Sequence, residues 1–161
     1  MPQTPAQAAD ALYAILAHAR SSATLEEYGI HATAEQTRQI TRELLSVNLY
    51  WIHSALHVSL SKGDAERILD ALRQRLVRAW TSELGLEGHE PQQYFQEAEE
   101  RRQAYDQIAQ ESGSPIAVMT ATASILESDG AVTAEDYQKL LALLIDVVPV
   151  EGIGETVQEF V

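Results

Sequence analysis

Apolar positions recur along this chain at helical spacing. Between residues 64 and 84 they fall at Ala65, Ile68, Leu69, Leu72, Leu76, Ala79, Trp80 and Leu84, a single stripe whose opposite face is charged. The same periodicity predicts helices near 5–20, 34–61, 91–112, 115–128 and 134–148, a short segment near 22–28 and a final turn near 154–160. Helix starts are marked by TPAQ (4–7), TAEQ (33–36) and TAED (133–136), in which a Thr hydroxyl can accept from otherwise unpaired backbone N–H groups. SP at 114–115 and EP at 90–91 add proline at the first helical position, where its missing N–H costs nothing. No hairpin turn joins alternating runs. The pattern describes an all-α, single-domain bundle spanning 1–161, with six to seven helices around one buried central helix, 34–61. GLEGHEP at 85–91 is its expected hinge.

The central helix has two apolar sides. Ile40, Leu44, Val47, Trp51, Ala55 and Val58 form one, and Leu45, Leu49, Ile52, Leu56 and Leu60 the other. A narrow polar strip of Glu43, Tyr50, Ser54, His57 and Ser61 runs between them, with His53 at its edge. Asn48 falls on an apolar face, where a buried amide must find partners. PIAVMTATASIL carries no charge and many small residues, so it is expected to be buried on several sides.

Charge narrows the choice of partner. With 11 Lys and Arg against 24 Asp and Glu, the net charge of −13 argues against nucleic acid or an anionic membrane as the ligand. A protein partner with a basic face, a second copy of the chain, or a divalent metal suits it better. Seven of the 11 basic residues (Lys62, Arg67, Arg73, Arg75, Arg78, Arg101 and Arg102) lie in the middle third, which makes that third a local anion or partner surface. The chain has no cysteine and so needs no oxidising compartment. No Lys or Arg precedes Arg20, so the apolar N-terminal run lacks the positive region of a secretory signal. The run 44–60 is interrupted by Asn48, His53 and His57, short of a membrane span. The expected location is the cytoplasm.

Candidate chemistry is sparse. No thiol, nucleophile elbow, phosphate-binding loop or dinucleotide fingerprint is present, so enzymatic activity is the minority reading. His53 and His57 are i,i+4 neighbours that can reach one metal ion from the same face, with His18, His31, His89 or Glu43 as further ligands; otherwise they are imidazoles hydrogen-bonded within the bundle. Arg102 lies on the inner stripe of the helix from Pro91, with Tyr94, Phe95, Ala98, Tyr105, Ile108 and Ala109, while Arg101 flanks it. It either extends its aliphatic stem along apolar surface, pairs with a buried acid, or reads a carboxylate or phosphate. In the last case Tyr50, Trp51, Tyr94, Arg102 and Tyr105, together with His57, would line one small-molecule pocket. Glu97, Glu99 and Glu100 read as a solvated face.

LESDGAVTAEDY (126–137) resembles a calcium loop in outline. With Gly130 at the sixth position, Glu127, Asp129 and Asp136 fall at ligand positions, but Ile125 stands at the first and Asp136 where a bidentate Glu should reach. A helix joint accounts for the same residues: Gly130 ends one helix, Val132 plugs the joint and Thr133 caps the next. SDGAVTAED, preceded by AVMTATASILE and followed by YQKLLALLIDV, also resembles the repeated module of tellurite-resistance TerB-like proteins. That resemblance covers 116–148 and rests on Asp129, Gly130 and Asp136, the last standing where the family usually has Glu. It implies an all-helical domain of similar size, acids that bind metal ions, here Asp129 and Asp136, and a place in stress or phage-defence systems. Such proteins normally carry a second copy in the N-terminal half, where SKGDAERIL is a degraded counterpart. The residues favour a non-enzymatic regulator, adaptor or inhibitor acting through protein contacts, with a metal-binding protein or a small-molecule pocket as alternatives.

Overall fold

Capping chemistry sets most helix boundaries in the computed structural model, which describes residues 4–16, 22–86 and 90–161. The chain is all-α, with no strand among those residues. Helix α1 (Pro5–Leu16) opens with a reciprocal pair: the Gln7 N–H donates to Thr4 Oγ1 at 3.2 Å and the Thr4 N–H to Gln7 Oε1 at 3.0 Å. Helix α2 (Ser22–Glu27) is short. Helix α3 (Ala34–Ser59) begins with a full capping box between Thr33 and Gln36. Helix α4 (Lys62–Ala79) starts at Ser61, whose hydroxyl accepts from the Asp64 N–H. Helix α5 (Pro91–Ser112) and helix α6 (Pro115–Ser128) both carry proline at the start, and Gly113 joins them in the left-handed conformation. Helix α7 (Tyr137–Val147) is followed after Pro149 by α8 (Val150–Gln158).

Some expected boundaries move. Helix α4 stops at Ala79, and Trp80 to Leu84 continue as turns that still bury Trp80 and Leu84. Helix α7 starts three residues after TAED begins to coil, because Asp136 and Tyr137 donate back to the Thr133 and Ala134 carbonyls as a tight turn. The end of the 5–20 helix, part of the 85–91 hinge, His18 and His89 lie outside the described residues.

Two apolar cores share α3. One face of it (Leu45, Ile52, Leu56, with Leu49 and Leu60) packs with α1, α4, Leu86 and the α8 residues Ile153 and Val157; the other (Ile40, Leu44, Val47, Tyr50) packs with Ile30, α6 and α7. Trp51 touches both cores, and α5 contributes Tyr94 to the first and Tyr105 to the second. The apolar C-terminal stretch docks on its own core, with Phe160 5% exposed. Across the first core Arg75 lies over the Tyr13 ring, 3.9 Å from its centre, and reaches Asp10 and Glu83. Expectation fails at two places. Val58 is 84% exposed because it points to the outer face of a turn whose Leu56 and Leu60 face the first core, and Ile116 at the start of α6 is 56% exposed, so only one face of PIAVMTATASIL is buried. No helix among the described residues is long and apolar enough to cross a membrane.

Candidate functional site

Where α5 crosses α3, the polar strip of the central helix meets the tyrosines of the α5 stripe. Arg101 grips Glu43 with two nitrogens, its Nε donating at 3.1 Å and its terminal nitrogen at 2.7 Å to Oε1. The Glu43 side chain is 13% exposed and that of Arg101 35%. Tyr105, fully buried, donates its hydroxyl to Glu43 Oε2 at 3.2 Å and accepts from Thr122 Oγ1 at 3.1 Å. One turn along, the Tyr94 hydroxyl lies 2.8 Å from Ser46 Oγ and donates to the Arg42 carbonyl at 3.2 Å. Burial pushes both tyrosine hydroxyls far above their ordinary range, the Glu43 carboxylate adding to the rise, so both stay protonated. The hydrogen bond to Glu43 likewise holds the Arg101 guanidinium more firmly charged. A partly buried charge pair of this kind, with its remaining lone pairs occupied, pins one register of α5 on α3.

Outside this pair opens a cleft of about 390 Å³ between α3, α5 and the end of α6. Its wall holds four carboxylates, Glu43, Glu97, Glu100 and Asp129, against two guanidiniums, Arg42 and Arg101. Arg101 is committed to Glu43. Glu97 accepts from Gln93, while the Glu100 and Asp129 side chains have no hydrogen-bond or ion-pair partner among the described residues. Asp129 also caps the C-terminus of α6, whose last carbonyls carry a partial negative charge.

The residues singled out from sequence as one pocket are divided by α5. Tyr94 lines the cleft, whereas Arg102 turns to the other side with Tyr50, His53 and Phe95. Tyr105 is enclosed between the helices, where its ring meets Tyr50 edge-on at 5.8 Å. Trp51 stacks edge-on against Tyr50 at 4.9 Å, its indole nitrogen buried without a hydrogen-bond partner among the described residues. Arg102 pairs with Glu99 one turn back, its Nε donating at 2.9 Å, which lowers the Glu99 carboxyl below its ordinary range. The partner of Arg102 is thus a surface acid of its own helix and not the buried acid of the sequence reading.

His53 and His57 stack with ring centres 4.2 Å apart. Burial first, then the nearby Arg102 guanidinium and His57, lowers the His53 pKa to about 4. A guanidinium beside an imidazole opposes a metal cation at the same place. In the turn, Gly130 has φ of 78° and Ala131 donates to the Leu126 carbonyl, while Ala131 and Val132 are buried, as a helix joint requires. Asp129 faces the cleft, but Asp136 pairs with Lys139 at 3.2 Å, and Lys139 also donates to the Gly29 carbonyl. No three His, Cys, Asp or Glu side chains among the described residues converge closely enough to hold a metal ion. Neither the histidine pair nor the turn therefore has a third ligand beside it there.

Sequence reasoning passed over Arg101, Glu97 and Glu100 as a flank and a solvated face. The available signal was that Glu43 stood alone as an acid between two apolar sides of α3 and needed a cation from a neighbouring helix. No protein-family model, curated protein or solved structure matches the chain.

Proposed function

We propose that the protein acts without catalysis, as a regulator, adaptor or inhibitor, and takes basic side chains of a partner protein into the cleft between α3, α5 and the end of α6. The observation that carries this reading is a pair of carboxylates, Glu100 and Asp129, with no hydrogen bond or close ion pair among the described residues, on the wall of a cleft whose inner cation, Arg101, is already held by Glu43. A Lys or Arg entering there gains charge-assisted hydrogen bonds and meets the negative end of α6. Arg42, on the same wall, restricts the approach and favours a segment in which basic and polar residues alternate over a uniformly basic one. The overall charge of −13 speeds the encounter with such a partner.

Titration of isotope-labelled protein with a short peptide in which arginine alternates with glutamine tests the reading. The expected amide shifts cluster at residues 97–101 and 126–131, and Glu100→Gln combined with Asp129→Asn weakens binding about tenfold, as the loss of two close charge contacts would. Shifts spread evenly over the acidic surface, or an affinity unchanged in the double variant, would contradict it.

A further inference from the structure

On the face of α5 away from the cleft, α4 and α5 both rest on α3 and leave a groove between their outward sides. Its outer part, about 630 Å³, is lined by Arg73, Gln74, Val77 and Arg78 from α4 and by Gln92, Phe95, Gln96 and Glu99 from α5. A smaller inner recess shares Arg73, Phe95 and Glu99 with it and ends at His53 and Arg102. The groove thus follows α5 from Gln92 to Arg102, roughly 15 Å at the helical rise. Its floor is apolar: Val77 is 46% exposed and the half-buried Phe95 ring packs against Trp80 and Tyr94. A large aliphatic side chain left on a helix exterior beside an aromatic ring is an anchor site for another apolar side chain.

The charge of this groove runs against that of the molecule. Three guanidiniums, Arg73, Arg78 and Arg102, line the groove and its recess, and Glu99 is the sole acid among their lining residues. Arg102 neutralises Glu99, and Arg73 pairs with Asp70 at 2.8 Å. Arg78 is exposed and has no acidic partner among the described residues. In a chain of net charge −13, an apolar floor edged by two paired guanidiniums and one, Arg78, with no acid beside it is complementary to a ligand that is both apolar and acidic.

We infer that the α4–α5 groove binds an acidic amphipathic helix of another protein, whose apolar side chains sit on Val77 and Phe95 while its carboxylates face Arg78 and Arg73. Two such grooves carry the same charge, so closing one on another about a two-fold axis leaves the Arg78 guanidinium of each copy without an added acid, which disfavours a symmetric dimer through this face. The inference is independent of the acidic cleft, because α5 lies between the two surfaces and they share no lining residue.

The test uses two fluorescent peptides of about 15 residues with identical leucines at helical spacing, one with glutamate and one with lysine on the polar positions. Binding to the full chain is followed by anisotropy at low and high salt, beside the double variant Val77→Ser, Arg78→Glu. Both substituted side chains are exposed, and circular dichroism checks that the fold is kept. The inference expects the acidic peptide to bind at least about tenfold more tightly than the basic one, to weaken with salt, and to lose at least about tenfold in the variant. Equal binding of both peptides, binding of neither, or an affinity unchanged in the variant would overturn it. Self-association in sedimentation that the variant abolishes would assign the groove to a second copy and also overturn it.

Discussion

Glu43 and Arg101 show how much one side chain depends on another 58 residues away. Replacing Arg101 by Ala would leave a carboxylate that is 13% exposed with only the Tyr105 hydroxyl to stabilise it. Removing one partner of a fully buried pair costs about 3–5 kcal/mol; with a third of Arg101 facing water, about 2 kcal/mol is expected. Chemical denaturation of R101A beside Arg38→Ala, whose i,i+3 pair with Glu35 is on the surface, measures the difference; equal small losses would show that the Glu43 pair is not stabilising. The helix periodicity put Glu43 in a polar strip and Arg101 beside an apolar stripe. Which strip meets which stripe depends on how two helices cross, and no spacing within either helix carries that information.

His53 supplies a pH dependence whose sign is definite. Folding lowers its pKa from 6.5 to about 4, so between those values the unfolded chain binds a proton that the folded chain does not. The contribution is complete above the unfolded value and is lost as pH falls toward 4. Arg102 and His57 oppose the proton, while Glu99 and Glu66 favour it weakly. The denaturation midpoint is therefore expected to fall between pH 7 and pH 5 by more in the native chain than in His53→Gln. A titration of the His53 ring by nuclear magnetic resonance with a midpoint near 6.5 would contradict this.

At the scale of elements, caps and glycines were the most legible features. Thr33, Ser114 and Pro115 act at the helix starts where the sequence puts them, because a cap is satisfied by residues within one turn, whereas Ser61, expected at the end of the central helix, caps α4. Thr133 is the instructive exception. Its hydroxyl accepts from the Asp136 N–H, yet the α-helix proper begins at Tyr137, since the turn between them closes through bonds from the Asp136 and Tyr137 N–H groups to the Thr133 and Ala134 carbonyls. Gln36 then ties the start of α3 to this joint by donating to the Gly130 carbonyl at 3.2 Å. Gly130→Ala meets no atom within 4 Å, so its cost comes from the left-handed backbone alone and is expected near 1 kcal/mol. Gly152→Ala, within α8 and only in ordinary contact with Pro149, should instead keep or raise the melting temperature. Equal effects of the two substitutions would remove this account of the joint.

The described residues form two cores built on two faces of α3, with an acidic cleft on one side of α5 and a guanidinium-edged groove on the other. An all-helical bundle with a central helix follows from periodicity, since each stripe needs a neighbour and the 34–61 segment has two. The two cores follow the two apolar sides read in the sequence of this helix, but the separation of Tyr94 from Arg102 by the body of α5 required the packing itself: on a helix, adjacent positions such as 101 and 102 diverge by about 100° and can serve different surfaces. The net charge pointed to a basic partner without locating it. The most direct measurement replaces Gln39, on the cleft wall, with a photo-crosslinking residue and compares it in cells with the same replacement at the exposed Gln138. Sequencing of the joined peptides is expected to give Lys- or Arg-containing segments from Gln39 and not from Gln138. Neutral or acidic segments at Gln39, or the same products from both positions, would contradict the reading of the cleft as the place where a basic partner binds.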